Sequence, residues 1–255
     1  SLFVFMRAHS RLRIMKLSFA SERVLAVMAH PDDAEIFCAG TLARAKNDGA
    51  SVGVVVLCQG DKGVGSDRSA DGLAAVRQKE AASALQLLDA TLFWFGAGDG
   101  ELFDGYENRK RLIEMYRQFH PTLVIAHAAS DYHADHRAAS ALAEAASWFC
   151  ASRGHVTESA AMEMSPRLWF ADTLGMSEGE PHFFVDVGEH VDRIARGAAE
   201  QARMEIAAVS RDHDLLAVVA GPRHGDRGIV AAPHAGVADQ RKVGGKFSGV
   251  VLQEG

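Results

Sequence analysis

Two short clusters of histidine and aspartate hold the residue types in this chain that are best suited to acid–base and metal chemistry. Residues 30–33 read His-Pro-Asp-Asp, and residues 133–136 read His-Ala-Asp-His. Each cluster lies downstream of an uncharged apolar run, at 24–29 and at 123–126, which predicts a buried parallel strand. Open α/β sheets bind ligands at the carboxyl ends of their strands, so both clusters are candidate site residues.

The residues of each cluster also have an ordinary structural explanation. Paired aspartates before a helix are common N-caps, and a histidine at a strand end often does no more than hydrogen-bond to its neighbours. Taken alone, residues 30–33 are therefore as compatible with capping as with a site. A second cluster of similar composition at a second strand exit makes two unrelated surface loops the weaker explanation.

The segments around the clusters alternate between strand and helix patterns. The predicted strands are 24–29, 52–58, 91–95, 123–126, 167–172 and 183–186, and the predicted helices are 34–48, 72–88, 106–119, 138–152 and 191–204. Strand–helix alternation with short links predicts an α/β fold with a doubly wound, mostly parallel, Rossmann-like sheet flanked by helices. The C-terminal part is less regular, and we place no elements beyond residue 210.

Composition narrows the class of protein. The hydrophobic fraction of 48% and the charged fraction of 24% are typical of soluble globular proteins. A net charge of -6 argues against a nucleic-acid partner, and no apolar run is long enough to span a membrane. Cys38, Cys58 and Cys150 are an odd number of cysteines in apolar runs, which predicts reduced thiols and a cytoplasmic location.

The length of 255 residues predicts one domain. Residues 1–22 are basic and carry no acid before Glu22, so we expect a loosely ordered leader outside the fold. Residues 23–255 then form the single domain. Whether that domain assembles into a homo-oligomer is left open by the sequence.

The two clusters would share one crevice if their strands are neighbours, as strands 1 and 4 are in the sheet order 3-2-1-4. His30, Asp33 and His136 would then form a set of two histidines and one carboxylate. Such a set leaves a coordination position open, as in a catalytic Zn²⁺ site. A non-heme Fe²⁺ site uses the same ligands, so the identity of the metal stays open.

Together, the clusters resemble the paired signatures of the PIG-L/LmbE-like zinc deacetylase family. That family includes N-acetylglucosaminyl deacetylases of glycolipid-anchor, mycothiol and bacillithiol synthesis. The similarity extends over about residues 23–204 and includes residues 77–80 and 98–100. The resemblance implies a zinc-dependent N-deacetylase domain that acts on a small-molecule N-acetylglucosaminyl conjugate.

The resemblance also implies roles for the clustered residues. His30, Asp33 and His136 would bind zinc, which lowers the pKa of bound water to about 7. Asp32 would be the general base that takes a proton from that water. His133 would be the general acid or electrophile beside the amide.

Three supporting roles follow from the same resemblance. Asp135 would orient a histidine, Arg77 would help to bind substrate, and Asp99 would accept hydrogen bonds from sugar hydroxyls. The part beyond about residue 205 diverges from the family, which leaves the sugar conjugate open. Four other histidines are interpreted as surface or capping residues rather than ligands, with a place in the pocket left open for the last of them: His127, His213, His224 and His234.

Three other functions stay open at this point. One is an amidase of the same mechanism that cleaves a different amide. Another is a nucleotide-using transferase in which Asp32 and Asp33 hold Mg²⁺, although Mg²⁺ prefers oxygen ligands to histidines. The third is a non-catalytic binding protein on this fold, against which the intact Asp32 and His133 count.

Overall fold

A mostly parallel sheet forms the centre of the protein. The computed structural model describes residues 17–63, 69–173 and 183–190, together with three short strands nearer the C-terminus. The five parallel strands are β1 (Arg23–Met28), β2 (Ser51–Cys58), β3 (Thr91–Ala97), β4 (Leu123–His127) and β5 (Arg167–Ala171). Their spatial order is β3-β2-β1-β4-β5, so β1 and β4 are neighbours, as predicted.

Helices flank the sheet. Their bounds are α1 (Asp33–Phe37), α2 (Ala39–Asn47), α3 (Ala70–Gln86), α4 (Tyr106–Phe119) and α5 (Ala134–Phe149). The predicted helix 34–48 is two helices, because Cys38 has a non-helical backbone with φ of -143°. Within the described part of the chain, no helix is both long enough and apolar enough to cross a membrane.

Further strands extend the structure. β6 (Phe183–Asp186), which confirms a predicted strand, is followed by a short 3-10 helix at Gly188–His190. β7 (Val218–Ala220) pairs with β8 (Ile229–Ala231), and β9 (Gly249–Glu254) lies antiparallel between β5 and β6. The predicted helix at 191–204 lies outside the described residues.

The central strands are buried on both faces. Val24, Ala26 and Met28 of β1 belong to one hydrophobic cluster, whereas Leu25 and Val27 belong to the cluster on the other face. A strand enclosed in this way needs apolar side chains at every position, which explains the uninterrupted runs in the sequence. The predicted α/β class and flanking helices are confirmed.

The segment before β1 differs from the predicted leader. Phe19 is only 1% exposed, and its ring lies edge-on to Trp169 with centroids 6.0 Å apart. Residues 17–22 therefore contact the core, because an apolar side chain gains free energy by leaving water. Residues 1–16 lie outside the described residues, and the single domain over 23–255 stays a prediction.

Candidate active site

Four neighbouring strands end in side chains that can bind metals. In sheet order these are Asp99 just after β3, Cys58 at the end of β2, His30 just after β1, and His127 at the end of β4. Parallel strands bring their carboxyl ends to the same edge, so the four residues form a row. The row crosses the topological switch point between β1 and β4: successive strands are added on one side of β1 up to β3 and on its other side from β4 onward. Ligands of open α/β sheets commonly bind at this point.

The two predicted clusters converge at this edge. The ring centroids of His30 and His136 are 5.3 Å apart, and the ring of His133 lies 4.8 Å from each of them. One nitrogen from each of these imidazoles lies within 4.8 Å of the other two. The geometry follows from the direct pairing of β1 with β4 and from the start of α5 at Ala134, four residues earlier than predicted.

Asp33 lies at the centre of the cluster and is 4% exposed. Its Oδ2 accepts a hydrogen bond from the backbone N–H of His30 at 2.7 Å. The same oxygen is 3.4 Å from Nδ1 of His30, 3.3 Å from Nε2 of His136 and 3.1 Å from Nε2 of His127. Burial raises the pKa of Asp33, but attraction to His127 and hydrogen bonds with His127, His136 and His30 outweigh burial and hold the pKa well below its usual range.

A carboxylate lies behind each of the two predicted histidine ligands. Oδ2 of Asp135 is 3.1 Å from Nε2 of His30, and Oδ1 of Asp131 is 3.1 Å from Nδ1 of His136. Burial lowers the pKa of His30, but Asp33 and Asp135 outweigh burial and raise it to about 9. The pKa of His136 is raised in the same way, against burial, by Asp33 and Asp131.

The hydrogen-bonding chemistry of this cluster fits a divalent metal. If His30 and His136 donate their outer N–H groups to Asp135 and Asp131, their inner nitrogens present lone pairs to Asp33. These electron-rich atoms, within 3.4 Å of Oδ2 of Asp33, repel one another unless a cation lies among them. Two imidazoles and a carboxylate are ligands that suit Zn²⁺ or Fe²⁺.

His133 both caps a helix and presents a ring nitrogen that can donate a hydrogen bond. It is the N-cap of α5, and its Nδ1 accepts a hydrogen bond from the backbone N–H of Asp135 at 3.2 Å. The neutral ring therefore keeps its proton on Nε2, which is the nitrogen left to act as a donor. Burial and the charges of His30 and His136 lower the pKa of His133, which favours this neutral form.

Asp32 occupies the N-cap position of α1, but its side chain makes no capping hydrogen bond. The ordinary explanation of this carboxylate as a cap therefore does not apply. Burial and the adjacent charge of Asp33 raise the pKa of Asp32. A carboxylate with a raised pKa is a stronger base than an exposed one.

The two predicted substrate-binding residues border a loop beside the cluster. The Asp99 carboxylate accepts hydrogen bonds from the backbone N–H of Gly60 at 2.8 Å and of Lys62 at 3.3 Å. Nη1 of Arg77 lies 3.2 Å from Oε2 of Glu80, three residues further along the same helix. A Cβ on Gly60 would lie 2.9 Å from Cγ of Arg77, so the loop and Arg77 are in close contact.

Two members of the cluster were missed by sequence reasoning. The interpretation of His127 as a surface or capping residue is wrong: it is 1% exposed and its ring stacks on His136 at 3.9 Å. Its position at the end of β4, beside the exit of β1, was the available signal. Asp131 had only its proximity to residues 133–136 as a signal. His213, His224 and His234 lie outside the described residues.

Comparison with known proteins gives a family match over the segment that contains both clusters. Residues 25–147 match the model of the PIG-L family, described as GlcNAc-PI de-N-acetylase. The solved structure of the conserved protein TT1542 from Thermus thermophilus is 32% identical. That alignment covers 74% of this chain and 82% of the other, with a TM-score of 0.64.

Two further proteins are similar to this chain. The N,N'-diacetylchitobiose deacetylase from Pyrococcus horikoshii has the same fold, with 23% identity, coverage of 80% of this chain and 79% of that one, and a TM-score of 0.65. The 4-oxalmesaconate hydratase of Pseudomonas putida KT2440 is 27% identical over 156 residues, which is 58% of this chain. The match spans 60% of the hydratase, less than two thirds of its length.

Proposed function

Since this chain belongs to the PIG-L family, we propose that it is a metal-dependent hydrolase that removes an acetyl group from the amide nitrogen of an N-acetylglucosaminyl conjugate. The observation that carries this proposal is the convergence of His30 and His136 on the single buried carboxylate of Asp33. Amide hydrolysis at neutral pH needs a strong nucleophile and a stabilised oxyanion. The surrounding side chains supply groups suited to both needs.

The metal would be held by His30, Asp33 and His136, and Zn²⁺ and Fe²⁺ both suit these ligands. When bound, the metal supplies Lewis acidity, which lowers the pKa of water and stabilises negative charge on a carbonyl oxygen. Asp135 and Asp131, each with a carboxylate oxygen 3.1 Å from the outer nitrogen, would keep the rings of His30 and His136 oriented.

Asp32 acts as the general base. Its carboxylate makes no capping hydrogen bond to α1, and we assign it to accept the proton of the attacking water. Its raised pKa lets it hold that proton through the step. General-base catalysis of this kind is worth about 10²–10⁴-fold in rate.

His133 acts as the donor on the other side of the amide. Because Nδ1 accepts a hydrogen bond from the backbone N–H of Asp135, the neutral ring carries its proton on Nε2. That N–H stabilises the developing charge on the carbonyl oxygen, and the leaving nitrogen takes the proton that Asp32 removed from the attacking water, so His133 remains the neutral imidazole. Arg77 and Asp99, at the loop beside the cluster, would bind the sugar.

The test is an acetate-release assay across N-acetylglucosamine, its malate and inositol conjugates, and chitobiose derivatives. Asp32→Ala is expected to keep its metal while losing about 10²–10⁴-fold in activity. Asp104→Ala is the matched control, since that carboxylate pairs with Arg109 at the surface. Full activity in Asp32→Ala, or no acetate release from any substrate of the panel, would contradict the proposal.

A second candidate function is the hydration of an unsaturated carboxylic acid. It is favoured by the 27% identity to the 4-oxalmesaconate hydratase. The same base and the same metal ligands would suit the addition of water to a polarised double bond. Incubation with 4-oxalmesaconate separates the two: loss of its ultraviolet absorbance without acetate release from the sugar panel would favour the hydratase.

A further inference from the structure

Cys58 has no part in the proposed reaction, yet it lies in the row of metal-binding side chains. The pairing of Met28 with Val56 places the end of β2 beside the end of β1. After a bulge in β2, Cys58 pairs with Ala97 of β3. His30, Cys58 and Asp99 therefore follow or end three adjacent parallel strands at nearly the same level.

The donor atoms of these three residues lie close together. One atom from each of His30, Cys58 and Asp99 lies within 4.8 Å of the other two. Nitrogen, sulfur and oxygen donors at this spacing suit thiophilic divalent ions, such as Zn²⁺ and Cd²⁺. Asp135, whose Oδ2 is 3.1 Å from Nε2 of His30, adds a further negative charge beside the three donors.

The two nitrogens of the His30 ring point to different sites, Nδ1 to the cluster around Asp33 and Nε2 to the side of Cys58 and Asp99. Nδ1 lies 3.4 Å from Oδ2 of Asp33, whereas Nε2 faces Asp135. Oδ2 of Asp135 also accepts the backbone N–H of Gly100, the residue after Asp99, at 2.7 Å. The Nε2 side of the ring thus faces the segment that follows β3.

We propose that His30 through Nε2, Cys58 and Asp99 form a second metal site, which takes Zn²⁺ or Cd²⁺ in excess and inhibits the enzyme. Two protons pass to solvent as the site forms: the thiol proton of Cys58 as Sγ binds the metal, and the Nε2 proton of His30, whose ring then bridges the two ions as an imidazolate; no group is oxidised or reduced. The binding of the ion does not depend on the proposed function, whereas the inhibition does.

Occupancy of this second site would disturb the first. Nε2 of His30 would leave Asp135, and the Asp99 carboxylate would leave the backbone N–H groups of Gly60 and Lys62. The loop that contacts Arg77 would then lose its two hydrogen bonds to Asp99. Inhibition follows because His30 loses the carboxylate of Asp135 that orients it, and the loop at residues 60–62 loses its hydrogen bonds to Asp99.

The experiment titrates the full chain, already loaded with one equivalent of Zn²⁺, with Cd²⁺. Wild type is expected to bind a second equivalent and to develop the ultraviolet thiolate-to-cadmium charge-transfer band. Cys58→Ser is expected to lose both the second equivalent and the band. Cys150→Ser is the matched control, because Cys150 is also a buried free thiol but lies at the end of α5.

Thermal melting shows whether Cys58→Ser is folded. If it is not, Asp99→Asn retains the thiol and should still weaken the second binding event. Absence of the band in wild type, its persistence in folded Cys58→Ser, or an unchanged second affinity in Asp99→Asn would overturn the proposed site.

Acetate release measured with excess Zn²⁺ tests the inhibition. Wild type should lose activity, and Cys58→Ser should resist that loss. If the protein binds a second equivalent but releases no acetate, the proposed function is wrong and the second site is supported. If the protein releases acetate but binds only one equivalent, the second site is wrong and the proposed function is supported.

Discussion

Asp33 shows how much of the site depends on one carboxylate. Its Oδ2 lies within 3.4 Å of nitrogens from His30, His127 and His136, and it also accepts a backbone N–H. A buried carboxylate in this setting requires positive charge nearby, which protons supply in the free protein and a divalent ion supplies when bound. His127 takes part in this arrangement by stacking on His136 and approaching Asp33 from β4.

We predict that His127→Phe weakens metal binding by about 10–100-fold, the usual effect of removing an outer partner of a ligand. Phenylalanine keeps a ring to stack on His136 but removes the nitrogen beside Asp33. It also leaves the Ala29 N–H without its acceptor, at a cost of about 1–3 kcal/mol in the free energy of unfolding. Competition with a chelator measures the metal affinity.

The control for this substitution is His155→Phe. His155 also stacks on an aromatic ring, that of Phe149, with centroids 4.2 Å apart. Its metal affinity should equal that of wild type. An unchanged metal affinity in His127→Phe would mean that this ring packs beside the site without supporting it.

At the scale of elements, α4 is joined to the segment that follows α5 by buried polar contacts. Arg117 is 2% exposed and donates to the backbone oxygens of Cys150, Ser152 and Ser159. Glu114, one turn earlier, accepts from the amide and hydroxyl of Ser159. These contacts hold an irregular segment against a regular helix.

Arg117→Met should destabilise the protein by about 3 kcal/mol, because several backbone oxygens lose their donor at once. Urea denaturation measures the free energy of unfolding. Arg109→Met, which removes a surface guanidinium paired with Asp104, is the control and should change it by about 0–1 kcal/mol. Equal effects of the two substitutions would show that the buried contacts contribute little.

Glu114 gives the same element a pH dependence. Burial raises the pKa of Glu114, but hydrogen bonds from Ser159, Thr157 and Gln118 outweigh burial and lower the pKa to about 2 from 4.5. Its contribution to stability is therefore fully present above pH 4.5 and is lost as the pH falls toward 2. Glu114→Gln should be less stable than wild type at pH 7, and the difference should shrink through that window.

Denaturation curves of both proteins at a series of pH values measure this effect. Glu107→Gln is the matched control, since Glu107 lies in the first turn of the same helix. A stability difference between Glu114→Gln and wild type that stays constant from pH 7 down to the acid limit would contradict the assignment.

At the scale of the whole molecule, the metal should stabilise the fold. A ligand that binds the folded state alone adds about 2.7 kcal/mol at a hundredfold excess over its Kd. For a chain of this size that corresponds to a rise in Tm of about 5–10 °C. Differential scanning calorimetry of Cys58→Ser, which lacks the proposed second site, with and without Zn²⁺ measures the shift, and adding Asp33→Asn should abolish it. An equal shift in Asp33→Asn would place the ion elsewhere.

Much of the fold was predictable because its strands are buried on both faces and leave uninterrupted apolar runs, as in β1 and β2. The order of β1 and β4 then brought His30 and His136 together. His127 was missed because an isolated histidine carries no signal by residue type, and its position at the end of β4 was not used. The break at Cys38 was missed because the apolar residues of α1 and α2 keep one helical period.

We propose above all that His30 and Asp33, which follow β1, and His136, which follows β4, bind one metal ion together. The most direct measurement is an anomalous-scattering map, at the zinc absorption edge, of crystals grown with one equivalent of Zn²⁺. We predict one peak in contact with all three side chains, and its loss in His136→Ala. A peak elsewhere in the molecule, or none, would contradict the claim.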